Sequence, residues 1–167
     1  NAEARQLGMK NSHFSDCNGL PAPDHYASAH DFAILAQHII HDYPQYYPMF
    51  SEKYFIYNGI KQPNRNRLLW RYQYADGLKT GHTDSAGFCL VASAKQNGMR
   101  LISVVMHEPT EPLRVNDSIA LLTYGFRFYK TYQLYGANQA VTQARVWQGQ
   151  DPNVNIGLNR PLYVTVP

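Results

Sequence analysis

Lys79-Thr80-Gly81 is the short run in this sequence whose residue types and order could grip a peptide. On an edge strand it would offer a cation, a hydroxyl and free backbone N–H groups to one extended ligand. Gly81 removes the side chain that would block a close approach. That combination suits a peptide carboxylate and a developing oxyanion. On the triplet alone, however, an ordinary exposed strand is the better reading, because Lys-Thr-Gly arises by chance in many proteins.

Other arrangements of reactive side chains are weaker. His38 and His41 form an HxxH pair beside Asp42, but no third metal ligand is evident and a polar helix face explains them better. His82, Asp84 and Ser85 contain the residue types of a triad, yet lie too close in sequence to orient one another as nucleophile, base and orienter. There is no GxSxG elbow, Walker lysine loop, GxGxxG or HExxH. Cys17 and Cys89 are not a CxxC pair, which excludes a zinc ribbon or thioredoxin motif. They permit one disulfide, but two buried thiols are the simpler expectation. No cofactor and no metal are expected.

The elements that must position the triplet can be read from periodicity. Ala2 to Leu7 reads as the end of a helix stopped by Gly8. Lys10 to His25 is a polar loop. Ser28 caps a second helix, with Asp31 as reciprocal partner and Phe32, Leu35, Ala36, Ile39 and Tyr43 on one face; Pro44 ends it. Tyr54 to Tyr57 is a short extended run followed by the Asn58-Gly59 hairpin signal. A segment ending near Thr80, Ala86 to Ala94, and Met99 to Met106 form a three-stranded antiparallel meander covered by helices. Glu108 to Leu113, with two prolines, reads as a loop. Asn116 or Asp117 then opens a third helix with Ile119, Leu122, Phe126 and Tyr129 inward. Val141 to Trp147 and Leu162 to Val166 read as strands after a boundary near residue 131.

The composition allows a real core. The chain has 167 residues, 44% hydrophobic and 16% charged, with a net charge of +3. A balance this mild does not imply nucleic acid. No apolar run is as long as a membrane span. Thirteen tyrosines make the chain aromatic-rich, which suits a wall or polymer binder. Starting at Asn1 with no signal-like stretch, it reads as an internal piece of a longer product.

The surroundings of the triplet carry a resemblance. Lys-Thr-Gly is the third element of a serine acyl-transferase set that also contains SxxK and a Ser-x-Asn motif. Leu7-Gly8-Met9-Lys10-Asn11, Tyr57-Asn58-Gly59-Ile60, Asn64-Arg65-Asn66, Leu68-Leu69-Trp70, the run Lys79 to Gly87, Leu90 to Ala94, Met99 to Ser103 and Leu121 to Arg127 resemble the serine-type D-alanyl-D-alanine carboxypeptidases, the low-molecular-mass penicillin-binding proteins. The resemblance covers nearly the whole chain. It implies a mixed α/β (α+β) fold: residues 1–130 as the C-terminal portion of the catalytic domain, 131–167 as the start of a β-rich domain.

The resemblance also implies a chemistry. A serine attacks the D-Ala-D-Ala bond of a peptidoglycan stem peptide, an acyl-enzyme forms, D-alanine leaves and water completes hydrolysis; β-lactams acylate the same serine. Lys79 would bind the substrate carboxylate and tune the pocket. Thr80 would donate its hydroxyl, Gly81 would allow close approach, and the His82 backbone N–H would be one oxyanion donor. Arg114, in the loop before the third helix, would receive the substrate carboxylate. His107, Glu108 and Pro109 stand where that family has a glycine-rich turn, and the interval from Trp70 to Lys79 is slightly short. No serine is followed by lysine three positions on, and no Ser-x-Asn exists. The isolated chain is therefore expected to fold poorly, to be inactive, and to need an N-terminal portion of the same enzyme. Localisation is expected to be periplasmic, with an inner-membrane anchor in the full-length protein. A D,D-endopeptidase of the same family and a non-catalytic wall-peptide binding module are the alternatives.

Overall fold

The computed structural model describes residues 1–167 and divides into two compact units, 1–126 and 127–167. In the first unit the order is α1 (Ala2–Gln6), α2 (Ala29–Asp42), a 3-10 turn (Tyr47–Ser51), β1 (Tyr54–Tyr57), β2 (Ile60–Pro63), α3 (Leu68–Arg71), β3 (Ala75–Thr83), β4 (Gly87–Gln96), β5 (Met99–Glu108) and α4 (Glu111–Phe128). The mixed α/β class expected from the sequence is what the chain adopts.

β3, β4 and β5 form an antiparallel meander in that order, so β3, with Lys79-Thr80-Gly81, is an edge strand of this sheet. Asn58-Gly59 and Asn97-Gly98 both take left-handed φ values (47° and 74°; 50° and 80°), as two-residue hairpin turns between right-twisted strands require. Strand alternation sends β4 to two cores. Leu90, Ala92 and Ala94 face Leu68, Val115 and Leu122, with Leu101, Ile119 and Phe126 packed around them. Val91 lies on the other face with Leu78, Ala36, Tyr47 and Ile39. Helices thus cover both faces of the sheet.

Several expectations need correction. The third helix opens at Glu111, not at Asn116 or Asp117, so Arg114 lies in its first turn rather than in a preceding loop. Pro112 is no obstacle there, because first-turn N–H groups have no intrahelical acceptor. Tyr129 lies beyond the end of α4. Ser28 caps α2, accepting from the Asp31 N–H at 3.1 Å, but the Asp31 carboxylate does not reciprocate. It accepts from Asn11 N and Ser12 Oγ, both at 2.7 Å, tying the polar loop to the helix. Tyr43 is exposed, not part of the buried face. Both cysteines are free thiols, and Cys17 is exposed. α3 and the 3-10 turn were not foreseen.

His107 takes φ +62°, the left-handed region that favours glycine. Opposite it, Gly87 also has positive φ, and a Cβ there would stand about 3 Å from the His107 backbone. The glycine at 87 lets β4 pass the unusual residue at 107.

The second unit has two antiparallel pairs, β6 (Lys130–Tyr135) with β9 (Leu162–Val166) and β7 (Ala140–Arg145) with β8 (Asn153–Gly157). Thr131 and Thr165 hydroxyls meet at 2.8 Å across the first pair, and Gln143 Nε2 donates to Asn155 Oδ1 across the second. β6 and β8 escaped the sequence reading. No helix is long and apolar enough to cross a membrane.

Candidate functional site: the groove beside the edge strand

The groove beside β3 is built from three pieces of the first unit. β3 supplies Lys79, Thr80, Gly81 and His82; the segment after β2 supplies Asn64, Arg65 and Arg67; α4 supplies Glu111 and Arg114. The groove holds about 560 Å³. Four cations against one carboxylate make it a place for an anionic ligand.

Each cation has a different setting. Lys79 is exposed, and its Nζ donates to the Thr80 carbonyl at 2.6 Å. Arg114 is only 5% exposed. Its Nη1 donates to Gly81 O at 3.1 Å and to Cys89 O at 3.4 Å, while Nη2 reaches Glu111 Oε1 at 3.5 Å. Its guanidinium carbon lies 5.4 Å from the Phe88 ring centroid, and the His82 ring sits 3.9 Å from the same Phe88. Arg114 is thus braced behind the strand, with its Nε buried and unpaired. Arg67 lies 3.9 Å from Glu111 and 5.5 Å from the Trp70 ring.

Asn66, fully buried between Arg65 and Arg67, links this arm to β3. Its Nδ2 donates to Gly77 O at 3.0 Å, and its Oδ1 accepts from Leu68 N at 3.2 Å. The Arg65-Asn66-Arg67 arm is a site feature that the reading of Lys79 to Gly87 alone missed; the alternation of charge around a single amide is the signal that could have found it.

Gly81 is informative for what it lacks. Its φ is not left-handed, and a Cβ there would meet only Cys89 Cβ, at 3.8 Å. The fold leaves room for a side chain at a position that has none.

On the opposite face of β3 lies an apolar hollow of about 280 Å³, walled by Phe32, Leu35 and Ile39 of α2 and by Leu78, Val91 and Val104 of the sheet. His38 and His41 are elsewhere on α2, each with Nδ1 within 3 Å of an Asp42 oxygen. Hydrogen bonds from both rings hold the Asp42 carboxyl below the usual carboxylate range. His82, Asp84 and Ser85 do not assemble into a triad: the His82 ring is against Phe88, and Ser85 Oγ meets Thr83 Oγ1 at 3.3 Å.

The D-alanyl-D-alanine carboxypeptidase profile matches residues 1–110, and the profile for the C-terminal domain of penicillin-binding protein 5 matches residues 129–167. The chain belongs to the D-alanyl-D-alanine carboxypeptidase family. It is 45% identical over 168 residues to the D-alanyl-D-alanine carboxypeptidase DacC of Escherichia coli K12, covering 100% of this chain and 42% of that protein. It is 44% identical to DacA of the same organism, with the same coverage. Among solved structures, penicillin-binding protein 5 from Haemophilus influenzae superposes with a TM-score of 0.88 at 44% identity, covering 100% of this chain and 49% of that one. The ampicillin-bound penicillin-binding protein D2 of Listeria monocytogenes superposes with a TM-score of 0.71 at 32% identity, covering 75% of this chain and 53% of that one. This carboxypeptidase-family chain spans less than half the length of the curated relatives it matches.

Proposed function

We propose that this chain is the C-terminal portion of a serine D-Ala-D-Ala carboxypeptidase of the bacterial wall. The observation that carries the reading is Gly81, a glycine on an exposed edge strand that the fold itself does not require. Its missing side chain serves something that approaches from outside, and an extended peptide laid against β3 is such a ligand. Lys79 and Thr80 then meet the peptide's terminal carboxylate, and the His82 backbone N–H stabilises the oxyanion. Arg114 draws the same carboxylate electrostatically from behind the strand. The domain division at about residue 130 belongs to the same reading.

The nucleophilic serine and its lysine lie outside this chain, in an N-terminal portion. That portion supplies the serine oxygen that attacks the penultimate D-alanine carbonyl. The C–N bond breaks, D-alanine leaves with the proton on its amine, and water hydrolyses the ester. The apolar hollow beside α2 is the surface on which that portion completes the core. The chain alone is inactive. β-Lactams acylate the same serine, and the enzyme works in the periplasm, anchored to the inner membrane.

The test uses the full-length protein and a labelled penicillin, with intact mass as readout. The wild type should gain one adduct, on a serine outside residues 1–167. Gly81→Ala should keep its melting temperature and lose acylation rate by about 10²–10³, the scale of one misplaced oxyanion donor. A Gly81→Ala protein that is acylated at the wild-type rate would sink the assignment of this edge. No adduct at all would leave the non-catalytic binding module.

A further inference from the structure

The β1–β2 hairpin has two unlike faces. By register, Tyr54, Ile56, Lys61 and Pro63 share the back; Phe55, Tyr57, Ile60 and Gln62 share the front. The back is anchored. Tyr54 packs edge-on to Trp70 at 5.8 Å, Lys61 Nζ sits 4.0 Å from the Tyr54 ring centroid, and Lys53 Nζ 6.0 Å from that of Trp70. Asn64 closes the base, donating from its backbone N to Lys53 O at 2.8 Å and from Nδ2 to Glu52 O at 2.9 Å. On the front, Phe55 is 65%, Tyr57 64% and Ile60 62% exposed; on the back Ile56 is as exposed, at 64%, while Tyr54 is held against Trp70. A contiguous apolar patch on a short, tethered hairpin marks a contact surface.

We propose that this front face is a saccharide platform, which holds the glycan strand bearing the stem peptide. The inference rests on the carboxypeptidase reading for the identity of the polymer. Three observations select a sugar. The Phe55 and Tyr57 rings stack, parallel within 6° and with centroids 6.4 Å apart, so the exposed pair forms one ordered apolar surface against which the flat C–H faces of pyranose rings can pack. Gln62, on the same face, brings an amide that can pair with an N-acetyl group, and it is also part of the groove wall beside Lys79. The platform is therefore continuous with the peptide groove, as a peptide attached to a glycan requires. Finally, the front carries no charge. A lipid surface would need cations around the apolar face, and the nearby Lys53 and Lys61 are engaged on the back-face rings.

The experiment uses the full-length protein with peptide-free glycan strands of alternating N-acetylated sugars, and compares turnover of a glycan-linked stem peptide with that of the free peptide. The wild type should bind peptide-free glycan, and Phe55→Ala/Tyr57→Ala should weaken that binding at least about tenfold. The same variant should raise KM for the glycan-linked peptide by about tenfold at constant kcat, and change the free-peptide KM by less than about twofold. Tyr57→Phe should keep binding. If the double variant unfolds early, Ile60→Ser, at a front-face position that is 62% exposed and outside the groove, supplies the same comparison. Absence of glycan binding by the wild type overturns the platform, as does unchanged binding by the variants, or binding only to lipid vesicles or to another protein. Failure of the wild type to hydrolyse the free peptide would instead overturn the carboxypeptidase reading, while peptide-free glycan binding would still decide the platform.

Discussion

Arg114 Nη1 stands 3.1 Å from the carbonyl oxygen of Gly81, and the two residues are 33 positions apart in the chain. The same nitrogen reaches Cys89 O on the neighbouring strand at 3.4 Å. A helix side chain thus ties β3, the edge strand of the groove, to its neighbour β4. A guanidinium, with five donors in a fixed plane, reaches two carbonyls and Glu111 at once.

Removing this brace should therefore cost stability before it costs chemistry. Arg114→Ala removes hydrogen bonds to two carbonyls that water can partly replace, at about 0.5–1.5 kcal/mol for each bond lost. Arg114→Lys keeps the charge and loses the fork, so it should fall between wild type and alanine. Urea unfolding of the three proteins gives the order; an alanine variant as stable as wild type would show that the contact is incidental.

Asn66 is the second link between groove pieces. Asn66→Ala should cost about 1–3 kcal/mol, because the Gly77 carbonyl and the Leu68 N–H both lose their buried partner. Asn66→Asp is the sharper variant. Its carboxylate can still accept from Leu68 but can donate nothing to Gly77, so it should remain destabilised at neutral pH in thermal unfolding.

Tyr47 and Gly77 form a pair with a directional prediction. A Cβ at residue 77 would run into the Tyr47 hydroxyl, whose buried oxygen has no hydrogen-bond partner. Gly77→Ala should destabilise by about 1–3 kcal/mol as an overpacked site. Tyr47→Phe alone should be close to neutral, and in the double variant it should recover part of the loss. A double-mutant cycle in chemical denaturation measures that coupling.

Asp31 sets an acid response. Burial pushes its carboxyl up, but hydrogen bonds from Ser12 Oγ and Asn11 N outweigh that and hold it below the ordinary aspartate value of 3.8. A carboxyl with a lowered folded-state pKa stabilises while it is ionised. Its contribution is present above the unfolded value and disappears as pH falls through the folded one, hence below about pH 4. Asp31→Asn should lower the melting temperature at pH 7 by roughly 3–8 °C and flatten its decline in acid. Asp16, Asp24 and Asp42 are also lowered, so the variant should keep part of the acid sensitivity. An unchanged slope between wild type and variant would rule Asp31 out as a contributor.

What the sequence revealed and what it hid have physical reasons. β4, β5 and the two Asn-Gly turns are legible because continuous apolar runs bounded by turn residues are local signals. The start of α4 was not: Pro109 and Pro112 look like loop residues, and only the helix beyond them shows that Pro112 occupies a first turn. α3 has four residues and exists because Leu68 and Leu69 are buried. For the site, the types at Lys79, Thr80, Gly81 and Arg114 were visible. That Arg114 points into the backbone of Gly81 and Cys89, and that Asn66 holds Gly77, depends on contacts between distant segments, which no local pattern encodes.

The strand order β3-β4-β5 also writes itself into time. β4 has a neighbour on each side, whereas β3 has a strand on one side only. In deuterated water the amides of β4 should be among the last to exchange, while alternate amides between Lys79 and Thr83 take up deuterium early. A ligand seated along that margin would slow those few protons and leave β4 unchanged. Isotope uptake at a handful of backbone positions therefore reports occupancy of the groove directly, with no reporter group attached and no turnover needed.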